Sequence, residues 1–358
     1  MKKNKYNLDL QLFAEINTTT SGAANTETVS DGIRGWGGSG MTPEQKVYYD
    51  GLLIDEAGAE LVHAQFAQKR PIPKGRGKTV EFRKFEDLSD DVDERILTEG
   101  QTPEGQALNV KTLESTVKQY GGFVPLTDML QFTSIDPVIV EATKKCGRQA
   151  GVVADKVIRN KINAGITNVI FAPKISSAGA ETAVTTRSGL DATARLTLDL
   201  VEQAAAGLRA NNAPTFGGDY VAIIHPYAAY DLRRCDDWVD AHKYGKPEEL
   251  FNGEIGNIAG VRFVATSNAK IWKDDTCPTD MVVFSTLFIG EGAYGDTEIE
   301  GGGLETFIKQ LGSAGSADPL NQRSTVGWKM TKAAEVLIAK YIYRVESLSK
   351  FSKTALAN

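Results

Sequence analysis

The sequence predicts an α+β fold, with an elongated layer carrying one long helix and a compact mixed lobe over residues 213–325. Three observations carry this reading. Ile139, Ala142, Cys146, Ala150, Val153 and Val157 recur at steps of three or four, one apolar stripe of a helix. Two strand-like runs, residues 78–85 and 108–124, flank a stretch of Asp, Glu, Gly and Pro with little to bury. From Tyr220 onward, short apolar runs alternate with a helix and Gly-rich turns. The chain has 358 residues, more than one compact core usually holds, so at least two units are expected.

In chain order, residues 17–40 are Thr, Ser, Gly and Asn in bulk, which predicts an extended arm over the first forty residues. Leu8, Leu10, Leu12 and Phe13 would anchor its start against a neighbour. Thr42 is the expected N-cap and Pro43 the first residue of a helix that runs towards His63. The two runs that follow read as one long hairpin with a polar tip. A two-stranded ribbon is marginal in water, so it should lie on another surface, its own or another chain's.

Charge is segregated along this hairpin. Lys69, Arg70, Lys74, Arg76, Lys78, Arg83 and Lys84 are opposed only by Glu81. Glu86, Asp87, Asp90, Asp91, Asp93, Glu94 and Glu99 follow, relieved only by Arg95. Copies arranged head to tail would pair the basic arm with the acidic tip. The competing reading is a solvated loop whose halves neutralise each other.

Asp136 is the expected N-cap and Pro137 the first residue of the long helix, which Gly165 stops. Lys144, Lys145, Arg148, Lys156, Arg159 and Lys161 are expected on its exposed surface. After a strand at 168–172, Thr197 should cap a second helix through Leu198, Val201, Ala205 and Leu208, ended by Asn211 to Pro214. Residues 220–224, 260–265 and 281–289 read as buried strands and 226–238 as a helix. Within 326–345, residues 334–339 read as a central strand. No internal repeat is present.

Composition and motifs exclude several functions. The 41% apolar and 24% charged content is that of a globular chain. Forty basic against forty-six acidic residues, a net charge of −6, argue against a dedicated nucleic-acid binder. Cys146, Cys235 and Cys277 form no CxxC pair, so free thiols in a reducing compartment are expected. No apolar run is long enough to span a bilayer, and residues 1–16 lack a signal-peptide pattern, so no membrane association is expected.

Gly35, Gly37 and Gly40 match the dinucleotide fingerprint, but only polar residues precede them where a strand is required. Gly77-Lys78-Thr79 has Ile72 where a phosphate-binding loop needs its first glycine. His63, His225 and His242 have no second ligand at metal spacing. His225 stands at a strand end, where a catalytic histidine would sit, yet no GxSxG elbow accompanies it and Cys235 lies in no supporting motif, so a structural histidine, hydrogen-bonded at a strand-to-helix turn, is expected. The acidic run at 87–94 lacks EF-hand spacing. No catalytic, cofactor-binding or metal residue is therefore assigned, and no enzyme is expected.

The order of arm, charged hairpin, long helix, compact lobe and returning strand resembles the Hong Kong 97-type major capsid fold of tailed bacteriophages. Several blocks carry the likeness: residues 61–66 leading to 69–73 and 77–82, Leu97-Thr98-Glu99-Gly100 with Thr102-Pro103-Glu104-Gly105, Ile135-Asp136-Pro137, His225-Pro226, and 253–256 through 260–263. They are most similar to the phage N4-like major capsid group, and Leu8 to Ala14 is similar to the start of many phage structural proteins from Gram-positive hosts.

The resemblance implies an N-terminal arm over 1–45 and an extended β-hairpin loop over 66–125. It implies a peripheral domain over 126–212 and 326–350 with a spine helix at 137–164, and a mixed α/β axial domain over 213–325. It further implies a non-enzymatic chain that self-assembles through pentamers and hexamers into the icosahedral head of a tailed double-stranded DNA phage. The DNA would be enclosed without sequence-specific contact, which suits an acidic chain. Assembly would take place in the bacterial cytoplasm, with a separate scaffolding protein, a portal and decoration proteins as further partners. An encapsulin-type nanocompartment is the alternative shell. In the type member a loop lysine is crosslinked to a neighbour's asparagine. Lys74, Lys78 and Lys84 are the candidate donors here, but no matched Asn and Glu accompany them, so no crosslink is expected.

Overall fold

The computed structural model describes residues 53–358 apart from 55, 58–60, 74, 76, 86–87, 89–90, 93–95, 97–98, 101–104, 135–136, 177–178, 236–255, 301 and 314–317. The expected arm, the Thr42 and Asp136 caps, Pro43, Lys74 and His242 lie outside the described residues. Contacts divide the chain into two units. One holds Gly121–Ala150 and Leu304–Met330 with the described residues before Gly58; the other holds Ala59–Tyr120, Gly151–Gly303 and Thr331–Asn358.

The strands are β1 (Gln68–Lys69), β2 (Thr79–Phe85), β3 (Val110–Thr116), β4 (Lys118–Thr127), β5 (Asn168–Phe171), β6 (Lys174–Ile175), β7 (Glu181–Thr182) and β8 (Tyr220–Ile224). They continue with β9 (Asn257–Ile258), β10 (Val261–Ala265), β11 (Ile271–Trp272), β12 (Val283–Ile289), β13 (Tyr294–Thr297), β14 (Glu305–Lys309), β15 (Arg323–Val336) and β16 (Ile342–Ser347). The α-helices are α1 (Asp128–Thr133), α2 (Val138–Gly165), α3 (Leu198–Ala210) and α4 (Pro226–Leu232).

The larger unit is built on a seven-stranded mixed sheet ordered β5-β16-β12-β8-β10-β9, with β11 against β12. Every residue of β8 and β12 is buried, because the sheet is covered on both faces. That is why β8 reads as a nearly continuous apolar run rather than an alternating one, and why β12 does so apart from Ser285 and Thr286, which are buried too. On one face, Leu200, Ala204 and Leu208 of α3 and Ala229 and Leu232 of α4 pack against Ala222, Ile224, Phe284 and Phe288. On the other, Ile158, Ile162 and Ile166 meet Val221, Ile223 and Leu287. At Gly207 a Cβ would stand 2.6 Å from the Tyr343 ring, so the close seat of α3 on β16 requires glycine.

In the smaller unit, β4 and β14 flank the first half of β15. Val326, Trp328, Ile308, Cys146 and Ala150 are among its buried apolar residues, and Trp328 Nε1 donates to Gln149 Oε1 at 3.0 Å.

Several expected elements differ. The fully buried face of α2 runs through Cys146, Ala150, Ala154, Ile158 and Ile162, leaving Val153 and Val157 half-buried beside it. Arg159, expected on the surface, is buried and donates to the Asn268 carbonyl at 2.7 Å. Thr197 precedes α3 but its side chain makes no capping bond. Helix α4 ends at Leu232 rather than 238, because the next N–H groups, of Arg234 and Cys235, fall back to i−3 carbonyls in a tighter turn. The second run of the hairpin is two strands: β3 pairs with β2, and β4 leaves for β15.

Residues 334–339 are not a central strand. Strand β15 stops at Val336, Leu337 and Ile338 both donate to the Ala293 carbonyl, and a 3₁₀ turn at Ala339–Tyr341 leads into β16. The apolar run turns a corner between two sheets.

Leu208 is fully buried between α3 and the sheet. Leu208→Ala should lower unfolding free energy by about 2–5 kcal/mol, read as a fall in the urea midpoint. An unchanged midpoint would mean that this helix does not carry the core.

Candidate functional site

The segment leading to the β2–β3 ribbon is fixed by a buried carboxylate. Asp155, on α2, is fully buried, as is His63 in the 3₁₀ turn His63–Phe66. Asp155 Oδ1 accepts the backbone N–H of Val62 at 3.0 Å and of His63 at 2.7 Å, and Oδ2 lies 2.8 Å from His63 Nδ1. Tyr294 donates its hydroxyl to the His63 carbonyl at 2.5 Å. Burial, with Asp155 and Asp296 nearby, pushes the Tyr294 phenol far above its usual range, so it stays a donor. His63 is thus held by both backbone groups and its ring.

Beyond this anchor the chain is sewn to β13. Strand β1 pairs with β13 in parallel, and Ile72 continues the ladder through bonds with Glu298 and Glu300. The ribbon's base then packs on the same unit: Val80, Phe82 and Val117 join Ile72 and Ala333 in a small core. The Phe82 ring lies where a Cβ on Gly295 would be, 2.9 Å away, so glycine admits it.

The register sets Glu81 opposite Glu114 and Lys84 opposite Lys111. Like charges directly opposite are unfavourable, and Glu81 is paired along its own strand instead, with Arg83 at 3.4 Å. Leu88, Val92, Ile96, Leu108 and Val110 are exposed along it and its flanks.

A second exposed surface belongs to the smaller unit. Helix α1 buries none of its residues, although Met129, Leu130 and Phe132 are apolar. Phe132 is 79% exposed, Leu320 75% and Phe123 71%. Such apolar exposure marks an interaction surface. The sequence reading missed it. Its signal is a run of apolar residues placed between a strand and a helix-opening proline, too short to bury them.

Buried charge recurs at β16. Glu346 is fully buried and takes a two-pronged bond from Arg187, at 2.6 and 2.7 Å, while Arg187 lies 4.2 Å from the Trp272 ring centroid. The bond to Glu346 holds the guanidinium above its ordinary value despite burial.

The residues weighed for chemistry have structural contacts. His225 is the N-cap of α4, its Nδ1 accepting the Tyr227 N–H at 3.1 Å, and its ring packs on Phe284. Burial lowers its imidazole from 6.5 to about 4. Cys235 lines a pocket with Arg195, Tyr230 and Arg234 that His225 does not line, so the two are not brought together there. Cys146, Cys235 and Cys277 are free thiols. Lys78 and Thr79 lead into a strand, not a helix. Among the described residues no group of acidic, His or Cys side chains is arranged to hold a metal, and no helix is long and apolar enough to cross a membrane.

A family model described as phage capsid protein matches residues 110–345. No curated protein matches the chain. Among solved structures, the capsid of Ralstonia phage GP4 is 16% identical over 80% of this chain and 87% of its own, with a TM-score of 0.58. The capsid of cyanophage P-SCSP1u is 14% identical over 80% and 87%, with a TM-score of 0.57. The capsid of cyanophage Pam1 is 13% identical over 82% and 92%, with a TM-score of 0.56. At these identities the likeness is one of fold.

Asp155→Ala strands the buried backbone N–H and ring of His63 and the partly buried N–H of Val62, and should cost about 3–5 kcal/mol in urea unfolding. Asp155→Asn should cost less, since its carbonyl still accepts the two backbone N–H groups. A loss below about 1 kcal/mol in the Ala variant would show that the anchor does not bear on stability.

His225 gives a pH dependence of defined sign. Its folded value lies below the unfolded one, so the unfolded chain takes up the proton first and stability falls as pH drops from 6.5 towards 4. The loss between pH 7.5 and 5 should be about 2 kcal/mol. His225→Asn keeps a capping oxygen without titrating, and should remove most of that loss; a variant with the parent's pH profile would show that other groups are responsible.

Proposed function

The chain belongs to the phage capsid protein family, and on that premise we propose a division of labour among its parts. It is a major capsid protein, whose copies form the icosahedral shell. The β2–β3 ribbon and its tip serve as the extended loop of 66–125, reaching over a neighbouring copy. Helix α2 is the spine helix of a peripheral domain made of 126–212 and 326–350. The lobe of 213–325 is the axial domain around the five- and six-fold centres, and residues 1–45 are the arm.

The observation that carries this assignment is the ribbon itself. Its base is packed on the chain's own core, while Leu88, Val92, Ile96, Leu108 and Val110 present exposed apolar side chains along its further length and flanks. The exposed face of α1 is of the same kind.

The finer reading adds the N4-like group, on the sequence blocks at 61–82, 97–105 and 253–263. It also adds double-stranded DNA enclosed without specific contacts, consistent with the acidic balance, and a separate scaffold, portal and decoration proteins as partners. Assembly in the host cytoplasm suits the free thiols. The chain acts as a structural protein and carries out no chemistry.

Electron microscopy of the purified chain, with light scattering for mass, tests this. Closed shells of this chain alone are expected, or discrete pentamers and hexamers that close when its phage's scaffold is added. A chain that stays monomeric with that scaffold present would overturn the assignment. Particles recovered from the host carrying enzyme rather than DNA would select the nanocompartment.

A further inference from the structure

The sheet of the larger unit has an edge with no strand on it among the described residues. Strand β5 ends the strand order and pairs only with β16, in parallel. In a parallel pair the N–H and C=O of one residue face the same side. Ala172 N–H bonds to the Glu346 carbonyl at 3.0 Å, so Ala172 and Ile170 face β16 while Val169 and Phe171 turn their peptide groups outward. A groove of about 690 Å³ lies beside this edge, bounded by β5, residues 181–185 and the first turns of α3. Val169, Phe171, Val184 and Leu200 supply apolar wall, and its charged residues, Glu181 and Asp199, are both acidic and exposed.

One segment of this chain matches that groove in period, polarity and charge. Leu8, Leu10 and Leu12 alternate with Asn7, Asp9 and Gln11, the period of a strand with one apolar face, and Lys2, Lys3 and Lys5 precede them. At about 3.3 Å per residue the five residues from Leu8 to Leu12 span roughly 16 Å, which matches the short edge of β5. We propose that residues 2–13 of a neighbouring copy add as a strand to the outer edge of β5. Leu8, Leu10 and Leu12 lie on the apolar wall, and the lysines lie beside Glu181 and Asp199. Main-chain bonds supply the attachment and the alternating pockets its register. This rests on the shell reading, since only there are copies held side by side.

The test is a charge swap read by shell yield, in the full chain. Lys2→Glu, Lys3→Glu and Lys5→Glu together should lower the yield about fivefold, and Glu181→Lys with Asp199→Lys should do the same. An equal mixture of the two variants should recover to within about twofold of the parent, because each arm then finds a groove of opposite sign on its neighbour. Thermal melting of the unassembled variants checks that both still fold. Amide hydrogen exchange gives a second readout: Val169 and Phe171 should become protected in shells relative to free protomers. Variants that assemble like the parent, or unchanged exchange at these two amides, would overturn the proposal. So would rescue only when all five substitutions share one chain, because that places the arm in its own groove. A parent that forms no shells would instead fail the shell reading.

Discussion

A carboxylate with no access to water must have its hydrogen bonds supplied, and Asp155 has them supplied by a single short stretch of chain. Val62 and His63 give two backbone donors and an imidazole. A buried charge so satisfied is poor evidence of net stability, but removing either partner is costly, so the pair acts as a registration device. It fixes Val62 and His63 against α2 and therefore where β1 meets β13 and where the ribbon begins. A carboxylate tolerates little sliding of its donors, whereas an apolar contact at the same place would tolerate slippage by part of a turn. The ribbon is aimed by this constraint.

What lies beyond the anchor obeys the opposite logic. The base of the ribbon is packed, while its outer part exposes apolar side chains. A shell assembled from many copies works best when each contact is weak and becomes secure only in number, because a misplaced copy can then leave. Contacts made from partly exposed ion pairs and modest apolar patches fall in that range. The cores that hold these surfaces in place are fully packed, so the protomer is rigid where it positions a contact and unsatisfied where it makes one.

The sequence made some of this legible and hid the rest for physical reasons. The long helix, the buried strands β8 and β12, the pairing of β2 with β3 and the histidine-capped turn before α4 follow from local signals, namely apolar period and turn chemistry. Asp155 and Arg159 were not legible as buried, since their partners are remote: His63 is 92 residues away and Asn268 is 109. A charged residue on a helix reads as solvated until its partner is known. The corner at 337–341 was hidden too, because an apolar run looks the same whether it continues one strand or crosses between two sheets. Helix α1 escaped notice because its exposed apolar residues follow no period at all.

The distribution of exposed apolar side chains also bears on how copies would avoid unspecific pairing before assembly. A long flat edge strand would pair with any other edge and aggregate. Here the exposed residues sit on pieces that make poor templates. Helix α1 is six residues long and locally self-bonded, with Thr127 and Asp128 accepting its first N–H groups and Ser134 bonding back to Leu130. Leu88 and Val92, exposed beyond the paired strands, stand in sequence among Glu86, Asp87, Asp90, Asp91 and Asp93. The open edge of β5 is four residues long and is bordered by Glu181 and Asp199, which discourage an acidic or purely apolar visitor. Surfaces of this kind favour a matched partner over an unmatched one, and that selectivity is what separates assembly from precipitation.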